Sequence, residues 1–127
     1  KPDQRIQRVI LCSGKVYYDL SEERDKRGLD RVYLMRVEQL YPFPTKALAE
    51  ELSRFPQAEM VWCQEEPKNM GAWHYMEDRL ETLLRNLHMS HQRPVYVGRR
   101  ASASPAAGTL SRHKVEQEAV VDMALTL

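Results

Sequence analysis

The sequence predicts an α/β protein in three layers, α/β/α, around a mostly parallel sheet of four to five strands. Three observations carry the prediction. Short apolar runs alternate with helix-like stretches along the whole chain. The loops between them are short, so consecutive strands are joined by covering helices. The apolar runs are continuous, as in strands buried on both faces.

The first strand is read over Arg8–Ser13, "RVILCS", and Gly14 breaks it. A helix is expected from Lys15 to about Lys26, with Gly28 as its stop. The second strand is Arg31–Val37. After it comes "EQLYPFPTK", whose Pro42 and Pro44 exclude a helix interior or a central strand. Thr45 is a candidate cap for a helix through Leu48 and Leu52 to about Phe55, closed by Pro56. The third strand is Glu59–Gln64, and the loop "EEPKNMG" follows it. Trp73, Met76, Leu80, Leu83, Leu84 and Leu87 then form one apolar helical stripe. The last strand is Val95–Val97. A small-residue loop, "GRRASASPAAGTLS", leads to a helix marked by Val115, Ala119, Val120 and Met123, with Ser111 as its cap. Residues 1–7 are read as a linker from an upstream domain and 8–127 as a single domain.

Composition narrows the function classes. The 127 residues are 43% hydrophobic and 29% charged, with a formal charge of +1. That balance offers no field for nucleic acid or an anionic membrane, so neither is expected as a partner. No apolar run approaches the ~20 residues needed to cross a bilayer. Cys12 and Cys63 lie in apolar strands without framework spacing and read as buried thiols of a cytoplasmic protein. The chain opens on Lys1 without a visible signal peptide and reads as a fragment or a processed chain.

In parallel sheets ligands and partners meet the carboxyl ends of the strands. At the first such end "CSGK" is either a weak anion site or a tight turn, because it lacks the spaced glycines of phosphate loops. At the third, Glu65 and Glu66 are adjacent and point apart if the strand continues. Paired-carboxylate catalysis needs groups facing one substrate from different elements. One glutamate is therefore expected to serve the coming helix start and the other a neighbour. His88 and His91 are too few for a metal site. No Ser or Cys has a histidine at an informative spacing, so no catalytic residue is assigned. Arg99 and Arg100 beside small residues, with Gln92 before the same strand, are either a phosphate clamp or structural ion pairs. Trp62 reads as core. Tyr41 and Phe43 pack under their loop or against a partner.

Four ordered stretches carry a resemblance: "RVILCSGKVYYDL", "RVEQLYPFP", "WCQEEPKNMGAW" and "GRRASASPAAG". Over Arg8 to Leu125 the chain resembles the C-terminal domain of the decarboxylase component of 2-oxoglutarate dehydrogenase. The 2-oxoadipate-type relatives are similar in this domain. The resemblance implies a transketolase C-terminal-like fold within a homodimer that decarboxylates 2-oxoglutarate in the citric acid cycle. It implies transfer of the succinyl group to the lipoyl-bearing succinyltransferase component of a multienzyme complex. Thiamine diphosphate and Mg2+ are then held by upstream domains of the same polypeptide, and no catalytic or metal residue is carried over to this chain. Gln64, Glu65, Glu66, Asn69 and Trp73, with Gly71, match the family's strand-end motif and are expected to dock the neighbouring domain or subunit. Met70 stands where relatives often have glutamine, and Arg100 where many have proline. Some relatives are regulated by acetyl-CoA or AMP, which implies Gln92, Arg99 and Arg100 as phosphate contacts.

Overall fold

The computed structural model describes residues 3–99 and 110–126, with side chains in the second segment from Lys114 onward. Eight elements alternate: β1 (Arg8–Cys12), α1 (Val16–Arg27), β2 (Val32–Arg36), α2 (Thr45–Leu52), β3 (Glu59–Pro67), α3 (Trp73–Asn86), β4 (Val95–Arg99) and α4 (Leu110–Leu125). The four strands form one sheet in the order β2-β1-β3-β4, and every pairing is parallel.

Alternation along the strands builds two cores. Val9, Leu11, Met60 and Trp62 face α2 and α3, where Leu48, Leu52, Met76, Leu80 and Leu84 are buried against them. Ile10, Cys12, Val61, Cys63 and Val97 face α1 and α4, where Val16, Leu20, Val120 and Val121 close the other layer. With both faces covered, β1 and the first half of β3 have no room for polar residues, which explains their solid apolar sequence. Residues before β1 are also tied in. Ile6 is buried, and Gln57 Nε2 donates to the carbonyls of Asp3 and Ile6 at 3.0 and 2.6 Å.

Strand β1 leads into α1 on one face, and its neighbour β3 leads into α3 on the other. The crevice of an open α/β sheet lies at such a switch, outside the carboxyl ends of the two strands. Here it falls between the turn at Ser13–Lys15 and the turn at Lys68–Ala72.

The structure corrects several expectations. β3 does not end at Gln64 but runs on to Pro67. Thr45 is the first residue of α2 and makes no capping bond, because Pro44 holds the cap position. Ser111 lies inside α4, which already begins at Leu110. Three of the four residues taken to mark α4, namely Val115, Ala119 and Met123, are exposed, while Val121, Ala124 and Leu125 are buried with Val120. Periodicity alone does not say which of two apolar faces turns inward. The loop from Arg100 to Thr109 lies outside the described residues.

Candidate functional site

The carboxyl end of β3 is irregular, and its irregularity organises the crevice. Cys63 pairs with Val97 and Pro67 with Arg99, so β3 takes four steps where β4 takes two. The extra residues are a bulge, which leaves backbone groups of the segment Gln64–Glu66 without ladder partners. Buried groups of that kind need other partners.

Gln64 partners the Glu66 carbonyl with its side chain and goes on to tie down the turn that follows. Its side chain is the one buried polar side chain among the described residues, with the residue 3% exposed. Oε1 accepts from Trp62 Nε1 at 2.9 Å and from the backbone N–H of Trp73 at 3.1 Å. The two Nε2 hydrogens are shared among the carbonyls of Glu66, Pro67 and Met70, which lie at 3.1, 3.0 and 2.7 Å. Both ends of the amide are therefore used, and only glutamine or asparagine carries both. The bond to Trp73 also replaces a missing cap. Ala72 precedes α3 and has no side chain to offer, so the helix start is satisfied from the strand.

Two glycines and a tyrosine complete the cradle. Gly71 has φ +70, and a Cβ there would stand 3.0 Å from Glu66 Oε1 and 3.2 Å from Gln64 Cδ. Gly98 lies opposite the bulge, where a Cβ would stand 2.5 Å from Tyr96 Oη and 2.8 Å from the Gln64 carbonyl oxygen. Tyr96 Oη donates to the Arg99 carbonyl at 2.6 Å, and its ring lies 5.4 Å from that of Trp73. Burial above all pushes the Tyr96 phenol up to about 12, which keeps the hydroxyl a donor. Sequence reasoning missed Tyr96 and Gly98. A glycine inside a strand was the available signal, since it marks a close approach of backbone.

The expected docking residues divide. Gln64 and Trp73 are 3% and 4% exposed and act inside the domain, so they do not present themselves to a partner. Glu66 and Asn69 are exposed on the strand-end turn beside Met70. Glu65 is half-buried and turns toward α4, where Gln117 Nε2 donates to Glu65 Oε1 and to Asp19 Oδ2, both at 3.1 Å. The two glutamates point to different neighbours, as strand alternation requires.

A second exposed feature flanks the crevice. Tyr41 is 65% exposed and its ring lies 4.1 Å from that of Tyr75. Tyr75 donates to the Leu40 carbonyl at 2.9 Å, and the Arg79 guanidinium sits 3.8 Å from the Tyr75 ring centroid. At the first strand end the Gly14 N–H donates to Glu38 Oε1 at 3.4 Å, and Arg36 pairs with the same carboxylate. The "CSGK" turn is thus met by a carboxylate of this chain.

Of the residues considered for phosphate, Gln92 and Arg99 are not brought together. Gln92 is exposed before β4, and Arg99 closes that strand, roughly 13 Å of strand lying between Val95 and Arg99. The Arg99 side chain is 11% exposed, with Nε 3.7 Å from Glu116 Oε2. Arg100 lies outside the described residues. His88 ends α3 with φ 55, while Met89 N–H bonds Leu84 O at 3.1 Å and His88 N–H bonds Arg85 O at 3.0 Å. That is a left-handed helix stop, usually given to glycine. Among the described residues no three His, Cys, Asp or Glu side chains converge as metal ligands.

Residues 1–125 match the family described as 2-oxoglutarate dehydrogenase C-terminal. The chain belongs to this family. It is 63% identical over 123 residues to the 2-oxoglutarate dehydrogenase E1 component of Brucella anthropi, and equally to that of Brucella ovis. In both cases the match covers 97% of this chain and 12% of the relative. Among solved structures, a chain described as split gene transketolase, inactive beta4 tetramer, aligns with a TM-score of 0.54 at 16% identity. That alignment covers 99% of this chain and 40% of the other, and it bears on fold alone. This member of the family has a transketolase-like α/β fold, and its strand-end turn is built around Gln64.

Proposed function

We propose that this domain is the structural completion of a 2-oxoglutarate-decarboxylating enzyme and supplies no reacting group itself. The observation that carries the reading is the 63% identity to E1 components over 97% of the chain. The geometry fits it. The Gln64 network spends its polar groups on fixing one turn, and that turn shows Glu66, Asn69 and Met70 to the outside. A turn held at three carbonyls and at the Trp73 N–H is a preorganised docking element, because little conformational freedom remains to be lost on contact.

In this reading the turn and the Tyr41 loop rest against upstream domains or the second subunit of a homodimer. Thiamine diphosphate and Mg2+ are assigned to those upstream domains. The described residues do not fit such a group: they contain no convergent metal ligands and no glycine-rich phosphate loop, so no step is routed through it. When bound elsewhere, thiamine diphosphate supplies the carbanion chemistry that a 2-oxo acid needs for decarboxylation. The succinyl group then passes to a lipoyl-bearing partner.

The test is a polypeptide of the relatives' full length carrying this domain at its C-terminal end. It should decarboxylate 2-oxoglutarate with thiamine diphosphate and Mg2+, and lose that activity when the domain is deleted. A full-length polypeptide that leaves 2-oxoglutarate untouched, or one indifferent to the deletion, contradicts the proposal.

A further inference from the structure

Cys12 and Cys63 are the chain's two cysteines, far apart in sequence. The sheet sets them side by side, because Cys12 of β1 is the register partner of Cys63 of β3. Both are 0% exposed, and both face the α1–α4 layer among Ile10, Val16, Val61 and Val97. Cys12 Sγ makes a weak contact with the Met35 carbonyl at 3.9 Å. The docking role proposed for the strand-end turn makes no use of either thiol.

Spacing decides what such a pair can hold. Neighbouring strands lie about 4.7–4.9 Å apart, and sulfurs on parallel Cβ–Sγ bonds keep that spacing. A disulfide wants Cβ atoms at about 3.8 Å, so closing one here would pull the two strands together. A d10 metal–thiolate bond is about 2.3 Å, and two in line span about 4.6 Å. A soft ion that prefers two ligands in line therefore fits between the strands as they stand. Zn2+ and Mg2+ want more ligands than two sulfurs provide. Charge narrows the class further. The layer is apolar, so the complex has to be neutral. Two thiols release two protons, and an ion of charge +2 replaces them. A monovalent ion would leave a net negative charge close to Glu65.

The approach to the thiols is acidic. Glu65 follows Cys63 by two residues and shares its face. Gln117 Nε2 joins Glu65 to Asp19, at 3.1 Å from each carboxylate. Asp19 and Gln117 also line a groove of ≈ 1210 Å³ between α1 and α4. Carboxylates at that end of the groove raise the local concentration of a cation. We propose that Cys12 and Cys63 form a buried dithiolate site for a soft divalent cation of two-coordinate preference. Each sulfur gives its proton to water and a lone pair to the ion, so M2+ and two R–SH yield M(S–R)2 and two H+. Burial holds both groups as thiols, and a bound soft ion deprotonates them outright.

Mercuric ion is the probe, added to this chain in the presence of excess 2-mercaptoethanol. Native mass spectrometry should show one ion per chain with two protons lost, because two sulfurs held in one site outcompete separate monothiols. Tm should rise with the ion, as for any ligand that favours the folded chain. Cys12→Ala and, separately, Cys63→Ala should each cut retention of the ion at least tenfold, and a thermal melt checks that each variant stays folded. X-ray absorption of the parent complex should show two sulfurs and no third ligand, a readout that needs no variant. The proposal is overturned by no retained ion, by two ions per chain, by a fall in Tm, by a third ligand, or by single variants that retain the ion as the parent does. Oxidised glutathione supplies the competing outcome: two thiols and one glutathione disulfide yield a Cys12–Cys63 disulfide and two glutathione thiols. That product, formed in the folded chain, would set the sulfurs at bonding distance and would also overturn the proposal.

Discussion

Replacing Gln64 by leucine keeps the volume of the side chain and removes both ends of its amide. Three partners of that amide are in buried bonds: Trp62 Nε1–H, the Trp73 N–H and the Pro67 carbonyl. The carbonyls of Glu66 and Met70 are only part-buried and can turn to water. A buried group left without a partner costs about 1–3 kcal/mol. The Pro67 carbonyl still accepts from the Met70 N–H at 2.9 Å, so two such groups are orphaned and the loss is about 2–5 kcal/mol. For a chain of this size that lowers Tm by roughly 8–20 °C. Urea unfolding of Gln64→Leu against the parent measures it, with Gln92→Leu as an exposed control expected within about 0.5 kcal/mol. Hydrogen exchange should show the Trp73 amide losing protection first. A loss under about 1 kcal/mol, with that amide still protected, would refute the hub.

Further outcomes follow from the same geometry. Gly98→Ala should cost about 1–3 kcal/mol in urea unfolding, because the added Cβ meets the Gln64 carbonyl at 2.8 Å and backbone cannot move aside cheaply. His88→Gly should raise stability by about 1 kcal/mol by relieving a left-handed residue with φ 55, read from the same urea midpoints. Burial, ahead of any charge, pushes the Cys12 and Cys63 thiols up from 9.0 to about 12. The unfolded chain therefore binds fewer protons between those values, so stability is whole below pH 9 and falls above it, by at most roughly 2.7 kcal/mol per pH unit for two thiols. A Cys12→Ala, Cys63→Ala variant should flatten that slope, and urea midpoints at pH 8, 9 and 10 will show whether it does. In a polypeptide of the relatives' full length, Glu65→Gln with Glu66→Gln should leave both limbs of the pH–rate profile in place. A missing limb with assembly intact would give one of them acid–base work.

Much of the fold was legible because burial on both faces writes itself into β1 and β3 as unbroken apolar runs. The stripe from Trp73 to Leu84 was equally clear, since α3 has one apolar face and about three turns repeat it. α4 was misread for the opposite reason: with apolar residues on two faces, its periodicity could not say which side meets the sheet. The end of β3 was misplaced because polar residues after Cys63 look like a loop. They are a strand with a bulge, and only the register against β4 reveals the extra residues. At the site, the motif around Gln64 was visible but its direction was not. A buried glutamine bonded to five groups and an exposed docking glutamine are the same letter. Arg99 and Gln92 were neighbours in sequence distance only, because a strand stands between them.

The most direct measurement is decarboxylation of 2-oxoglutarate by this 127-residue chain alone, with thiamine diphosphate, Mg2+ and an artificial electron acceptor. The account predicts a rate equal to the protein-free blank. Turnover above that blank, lost in Glu65→Gln or Glu66→Gln, would mean that the domain owns a catalytic centre.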